Sequence, residues 1–148
     1  MALPFFLLLA VSVGVPTLAI LRPATSDFTE AFGWPPGPEF TNLRGETQAE
    51  SDFRSIYLAF DGSPQARAAL ESKMAGAKEK HTTDFVDSLV DDEGTAPDWF
   101  KAGSELVSRR RCVNRKVREF DGWKDWDDFI VVDCLSDRHI YVLAASID

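Results

Sequence analysis

Basic residues are scarce in this sequence: 16 Lys and Arg stand against 24 Asp and Glu, a formal net charge of −8 with a pI near 4.7. Nucleic-acid affinity comes largely from neutralising phosphates, so no nucleic-acid partner is expected. Cysteine is scarcer still. Cys112 and Cys134 alone cannot build a disulfide-dense miniprotein or a four-cysteine zinc site. Histidine is limited to His81 and His139, with no His-Glu-x-x-His helix, so no metal ligand set is expected. The phosphate loop, the dinucleotide fingerprint and the nucleophile elbow are missing, which leaves no cofactor to expect. Neither Asn42 nor Asn114 opens a glycosylation sequon. Nine Gly and eight Pro are ordinary amounts and exclude collagen-like and low-complexity classes.

What is present is apolar and aromatic. Hydrophobic residues make up 45% of the 148, with 11 Phe and 4 Trp. That is too much for a disordered chain and suits one domain. Residues 2–21 carry no charge, and Phe5 to Val15 is almost wholly apolar. Two readings of this stretch compete. As a signal peptide, Phe5–Val13 is the core, Gly14 and Pro16 break it, and Thr17-Leu18-Ala19 is a small-x-small site cleaved after Ala19. As a retained transmembrane anchor, it has the roughly 20 apolar residues that reach across a bilayer. Arg22 would then favour a cytosolic carboxyl side. A buried core helix is the third reading, disfavoured because the segment has no polar face. The expected localisation is exported or membrane-anchored and extracytoplasmic, with a cytosol-facing anchor left open.

Residues 22–50 read as a linker, because Pro23, Pro35, Pro36, Pro38, Gly33, Gly37 and Gly45 are scattered through it. Phe28, Phe32, Trp34 and Phe40 make it unusually aromatic for a spacer. The globular domain is expected over residues 51–148. Phe53 to Phe60 alternates as a strand, with Ile56, Leu58 and Phe60 on one face. Ser63-Pro64 opens a helix whose buried stripe is Ala66, Leu70 and Met74, with Gly76 as terminator. A second helix fits Thr83 to Val90, and Pro97 opens a third helical turn carrying Trp99 and Phe100. Arg111 to Glu119, Phe129 to Leu135 and His139 to Ser146 read as strands, the last two joined in a tight hairpin. The expected fold is α+β: a small antiparallel sheet of about four strands, two to three helices on one face, and an N-terminal apolar segment ahead of it.

Two features carry candidate chemistry. Cys112 and Cys134 both sit on predicted strands that could be neighbours, and in an exported domain they can form a disulfide worth about 3 kcal/mol. In a reducing compartment they are two small buried hydrophobes. The second feature is a basic strip. Arg109, Arg110, Arg111, Arg115, Lys116 and Arg118 fall within ten positions, followed by Trp123 and Trp126. Arginines beside aromatics hold phosphate, carboxylate or anionic head groups. The plainer reading is a strand whose outward face pairs with the abundant acids. The clusters Asp121, Asp125, Asp127, Asp128 and Asp91, Asp92, Glu93 do not have calcium-loop spacing.

These features support an exported or membrane-anchored non-enzymatic interaction module, with a protein or anionic partner and with membrane contact through residues 2–21 if they are retained. The carboxyl-terminal hairpin is a candidate edge for strand addition. The alternative is a small extracytoplasmic hydrolase using Asp and His in a cleft. A structural envelope component is the third possibility.

Overall fold

The computed structural model describes residues 22–80, 96–102, 112 and 114–147, together with the backbone of residues 18–20. The expected helix at Thr83–Val90 and the arginines Arg109, Arg110 and Arg111 lie outside these residues, as does most of the apolar amino-terminal segment. The chain order is β1 (Leu18–Ile20), α1 (Ala24–Phe32), β2 (Arg44–Glu50), β3 (Phe53–Asp61), α2 (Pro64–Lys73), β4 (Lys78–Lys80), β5 (Arg115–Asp121), β6 (Asp128–Cys134) and β7 (His139–Ile147). The strands form one antiparallel sheet in the order β1-β2-β3-β7-β6-β5-β4. The fold is therefore α+β as expected, with seven strands among the described residues instead of about four.

Two further expectations are corrected. Residues 22–50 are not a spacer, because they supply α1 and β2 to the core. Phe28, Ala31 and Phe32 repeat at helical spacing and are fully buried. Pro23 precedes the helix and Gly33, at φ +86°, ends it, with the Gly33 amide donating to the Thr29 carbonyl at 2.8 Å. Nor is β7 an edge for strand addition. It pairs with β3 over nine residues and with β6 over seven, which puts it at the centre of the sheet. Among the described residues, no helix is long and apolar enough to cross a membrane.

Strand alternation gives the sheet two buried faces. Ile56, Leu58, Phe60, Phe129, Val131, Ile140 and Val142 face α1 and α2. Tyr57, Ile130, Val132, Tyr141 and Leu143 face the opposite side, where Phe100, Ala102 and Cys112 cover them. Helix α2 forms as its sequence implies: the Ser63 hydroxyl accepts from the Ala66 amide at 3.1 Å, and Ala66, Leu70 and Met74 are buried. It stops at Lys73, ahead of Gly76, with the Met74 amide on the Leu70 carbonyl at 2.9 Å. Pro97 starts only a single turn, closed by Phe100 N–H on the Pro97 carbonyl at 2.9 Å.

A buried charge fixes α1 to the sheet. Asp27 and Thr47 have no exposed surface. The Thr47 hydroxyl donates to Asp27 Oδ1 at 2.6 Å, and the Arg22 guanidinium donates to both Asp27 and Thr47. Arg22 also pairs with Glu30 at 2.5 Å, and Glu30 with Arg54 of β3. Gly45 allows the close approach, since a Cβ there would stand 2.8 Å from Asp27 Oδ2. Removing one partner of a buried pair leaves the other uncompensated. Arg22→Ala is therefore expected to cost about 3 kcal/mol or more in urea denaturation. A loss below about 1 kcal/mol would mean that solvent reaches Asp27 and the pair does not hold α1.

Candidate functional site

Cys112 and Cys134 lie at disulfide distance, with their Cα atoms 5.8 Å apart, and both are buried. Cys134 ends β6, and Cys112 belongs to the cover of the second face. The bridge thus fastens that cover to the sheet. In the same cover Phe100 meets the rings of Tyr57 and Tyr141 edge-on, at centroid distances of 5.1 and 5.5 Å. The sequence separation of 22 residues corresponds to about 3 kcal/mol in the chain-entropy description. Replacing both cysteines by Ser is expected to lower the unfolding free energy by about that amount, read from chemical denaturation; an unchanged midpoint would mean that the cysteines are not bridged.

Of the basic strip, Arg115, Lys116 and Arg118 are described, and β5 alternates them between the two faces of the sheet. Lys116, Arg118 and Phe120 face the helix side, whereas Arg115 and Val117 face the other. Arg115 donates to the Ala102 carbonyl at 2.6 Å and so anchors the second cover. Arg118 is held between Glu71 of α2 and Glu79 of β4 and lies over the Phe120 ring. Trp126 is 7% exposed and Trp123 is partly buried. Both pack with Phe129 in the helix-side core. They are core anchors, distinct in role from Arg115 and Arg118.

Lys116 and Arg118 do, however, meet residues that the strip did not include. Between α2 and the β5–β6 pair is a cavity of about 260 Å³. Leu70, Met74, Phe120, Val131 and Ile140 form its apolar floor. Arg67, Glu71, Lys116, Arg118 and Asp133 stand around its mouth. Arg67 binds Asp133 through two hydrogen bonds of 2.8 Å, a fork-to-carboxylate pair that spans helix and sheet. In the sequence, the trace of this site is Arg67, placed one residue after the first member of the buried α2 stripe.

A second, shallower hollow lies on the opposite face, lined by Arg44, Trp99, Lys101, Asp137, His139 and Tyr141 among others. The Tyr141 hydroxyl donates to Asp137 Oδ2 at 2.6 Å. His139 Nδ1 lies 2.8 Å from the Asp137 carbonyl oxygen, and its Nε2 lies 3.7 Å from Asp61. Asp61 Oδ2 accepts from Thr41 at 2.8 Å and from Asn42 at 2.7 Å. Burial first, and then the bond to Asp137, push the Tyr141 phenol above the usual tyrosine range. An unfolded tyrosine ionises near pH 10 while the folded one stays protonated, so this contribution is full below about pH 10 and is lost above it. Tyr141→Phe is expected to flatten the alkaline fall in stability, compared by urea denaturation at about pH 9 and about pH 11. An identical fall in both proteins would contradict the assignment.

Among the described residues, no group of three or more His, Cys, Asp or Glu is arranged to hold a metal ion. No protein-family model, curated protein or solved structure matches the chain.

Proposed function

We propose that the protein is a non-enzymatic binding module, exported or held at a membrane, that receives an anionic partner in the cavity between α2 and the β5–β6 pair. One observation carries the reading: a concave apolar floor bordered by Arg67, Lys116 and Arg118 in a chain that is otherwise acidic. Ligand sites commonly combine an apolar lining with a few placed polar groups. The cysteine pair at disulfide distance supports an oxidising address, because bridges persist outside the reducing cytosol.

A hydrolase using Asp and His has the Asp61–His139–Asp137 hollow in its favour. The arrangement there suits binding better than chemistry. Nucleophilic catalysis needs a hydroxyl donating to a base that a third group orients. Here the Thr41 hydroxyl donates to Asp61, and His139 is turned between carboxylates and a carbonyl. The Tyr141 proton is likewise committed to Asp137.

Intact mass after alkylating the natively expressed protein without reduction tests the address. The expected result is no alkyl label, with both thiols in the bridge. Two labels would contradict export through an oxidising compartment. A panel of ester, glycoside and peptide substrates tests the chemistry: the binding reading expects no turnover, and turnover lost in His139→Ala would replace it with the hydrolase.

A further inference from the structure

The cavity selects for a narrower class than anions in general. Its floor is largely aliphatic and thioether: Leu70, Met74, Val131 and Ile140, with the ring of Phe120 at one side. Such a lining repacks readily around a flexible chain. About 260 Å³ falls just under the usual range for drug-sized ligands. It accommodates a short aliphatic chain better than a fused ring system.

The mouth distinguishes its cations. Arg67 spends its fork on Asp133, and Arg118 is shared by Glu71 and Glu79. Lys116 is directly opposite Asp133 in the β5–β6 register. Asp133 is paired with Arg67, and no hydrogen bond or ion pair joins Lys116 to an acceptor among the described residues. It is an available positive charge above an apolar floor. Glu71 and Asp133 at the same mouth disfavour a partner that brings several negative charges, such as an acidic peptide.

We infer that the cavity binds a medium-chain aliphatic monocarboxylate, its chain on Leu70, Met74 and Val131 and its carboxylate on Lys116. This assignment rests on the binding-module reading and names its ligand. The single charge meets the single uncommitted cation, and the chain covers the floor. A neutral chain of equal length gains only the floor. An amine of equal length gains the floor but sets its own positive charge beside that of Lys116.

The protein has two methionines, Met1 and Met74, so a 13C-methyl methionine label gives a direct signal from the cavity floor. The full chain is titrated with sodium octanoate, 1-octanol and octylamine. Octanoate is expected to shift the Met74 methyl saturably, with an affinity about fivefold above that of octanol; octylamine is expected to bind more weakly than octanol. Lys116→Ala, a change at an exposed side chain, is expected to bring octanoate down to the octanol level, and Lys116→Arg to restore it. Equal affinities for octanoate and octanol in the unaltered protein, or no effect of Lys116→Ala, would overturn the carboxylate assignment and leave the binding-module reading in place. No Met74 shift with any of the three would overturn both.

Discussion

Strands β3, β6 and β7 are apolar on both of their faces, and this double burial governs the rest of the molecule. An antiparallel sheet commonly keeps one face on the core and one in water. Here Ile56, Leu58 and Phe60 point one way while Tyr57 and Ala59 point the other, and all are buried. Two covers are therefore required. The helix-side cover is made by α1 and α2. The other is made, among the described residues, by the segment carrying Trp99, Phe100 and Ala102 together with Cys112.

The two covers are held by different physics. On the helix side, aromatic packing does most of the work: Phe28 contacts the rings of Phe32, Phe40 and Phe60, and Phe32 meets Phe129 edge-on at 5.3 Å. The Asp27–Arg22–Thr47 cluster then fixes how α1 sits. The second cover has no α-helix among the described residues and is tied down at points: the Cys112–Cys134 bridge, Arg115 on the Ala102 carbonyl and Phe100 between two tyrosines. One of those points, the cysteine pair, is redox-dependent. The cavity lies on the helix side, where no thiol contributes to its lining.

Much of the core was legible because its signals are local. Ser63-Pro64 followed by Ala66, Leu70 and Met74 specifies α2 within a dozen residues, and the dense apolar runs of β3, β6 and β7 need no distant information. Cys112, expected on a strand, instead precedes β5, and the β5–β6 pairing brings it to Cys134 at the end of β6. Helix α1 was hidden by composition. Pro23 and Gly33 bracket Phe28, Ala31 and Phe32 as a helix requires, but further proline and glycine after them imitate a spacer. The nine residues of α1 owe their order to Phe60, Phe129 and Thr47, which meets the buried Asp27, all tertiary partners. For the described part of the basic strip the limit is geometric: closeness in sequence is not closeness in space on a strand, where neighbours face opposite ways. Lys116 and Arg118 acquire their setting from Arg67, Glu71 and Asp133, contributed by α2 and β6, and no window along the chain contains that juxtaposition.

The claim that a bridged segment closes the second face can be tested through the molecule's only two tyrosines, Tyr57 and Tyr141, both of which lie under Phe100. Nuclear Overhauser contacts between the Phe100 ring and the two tyrosine rings would be compared in the oxidised protein and after reduction and alkylation. The account predicts contacts in the oxidised protein that weaken or vanish on reduction, while those joining Phe28, Phe32 and Phe129 persist. Phe100 contacts of unchanged strength in the reduced protein would contradict it.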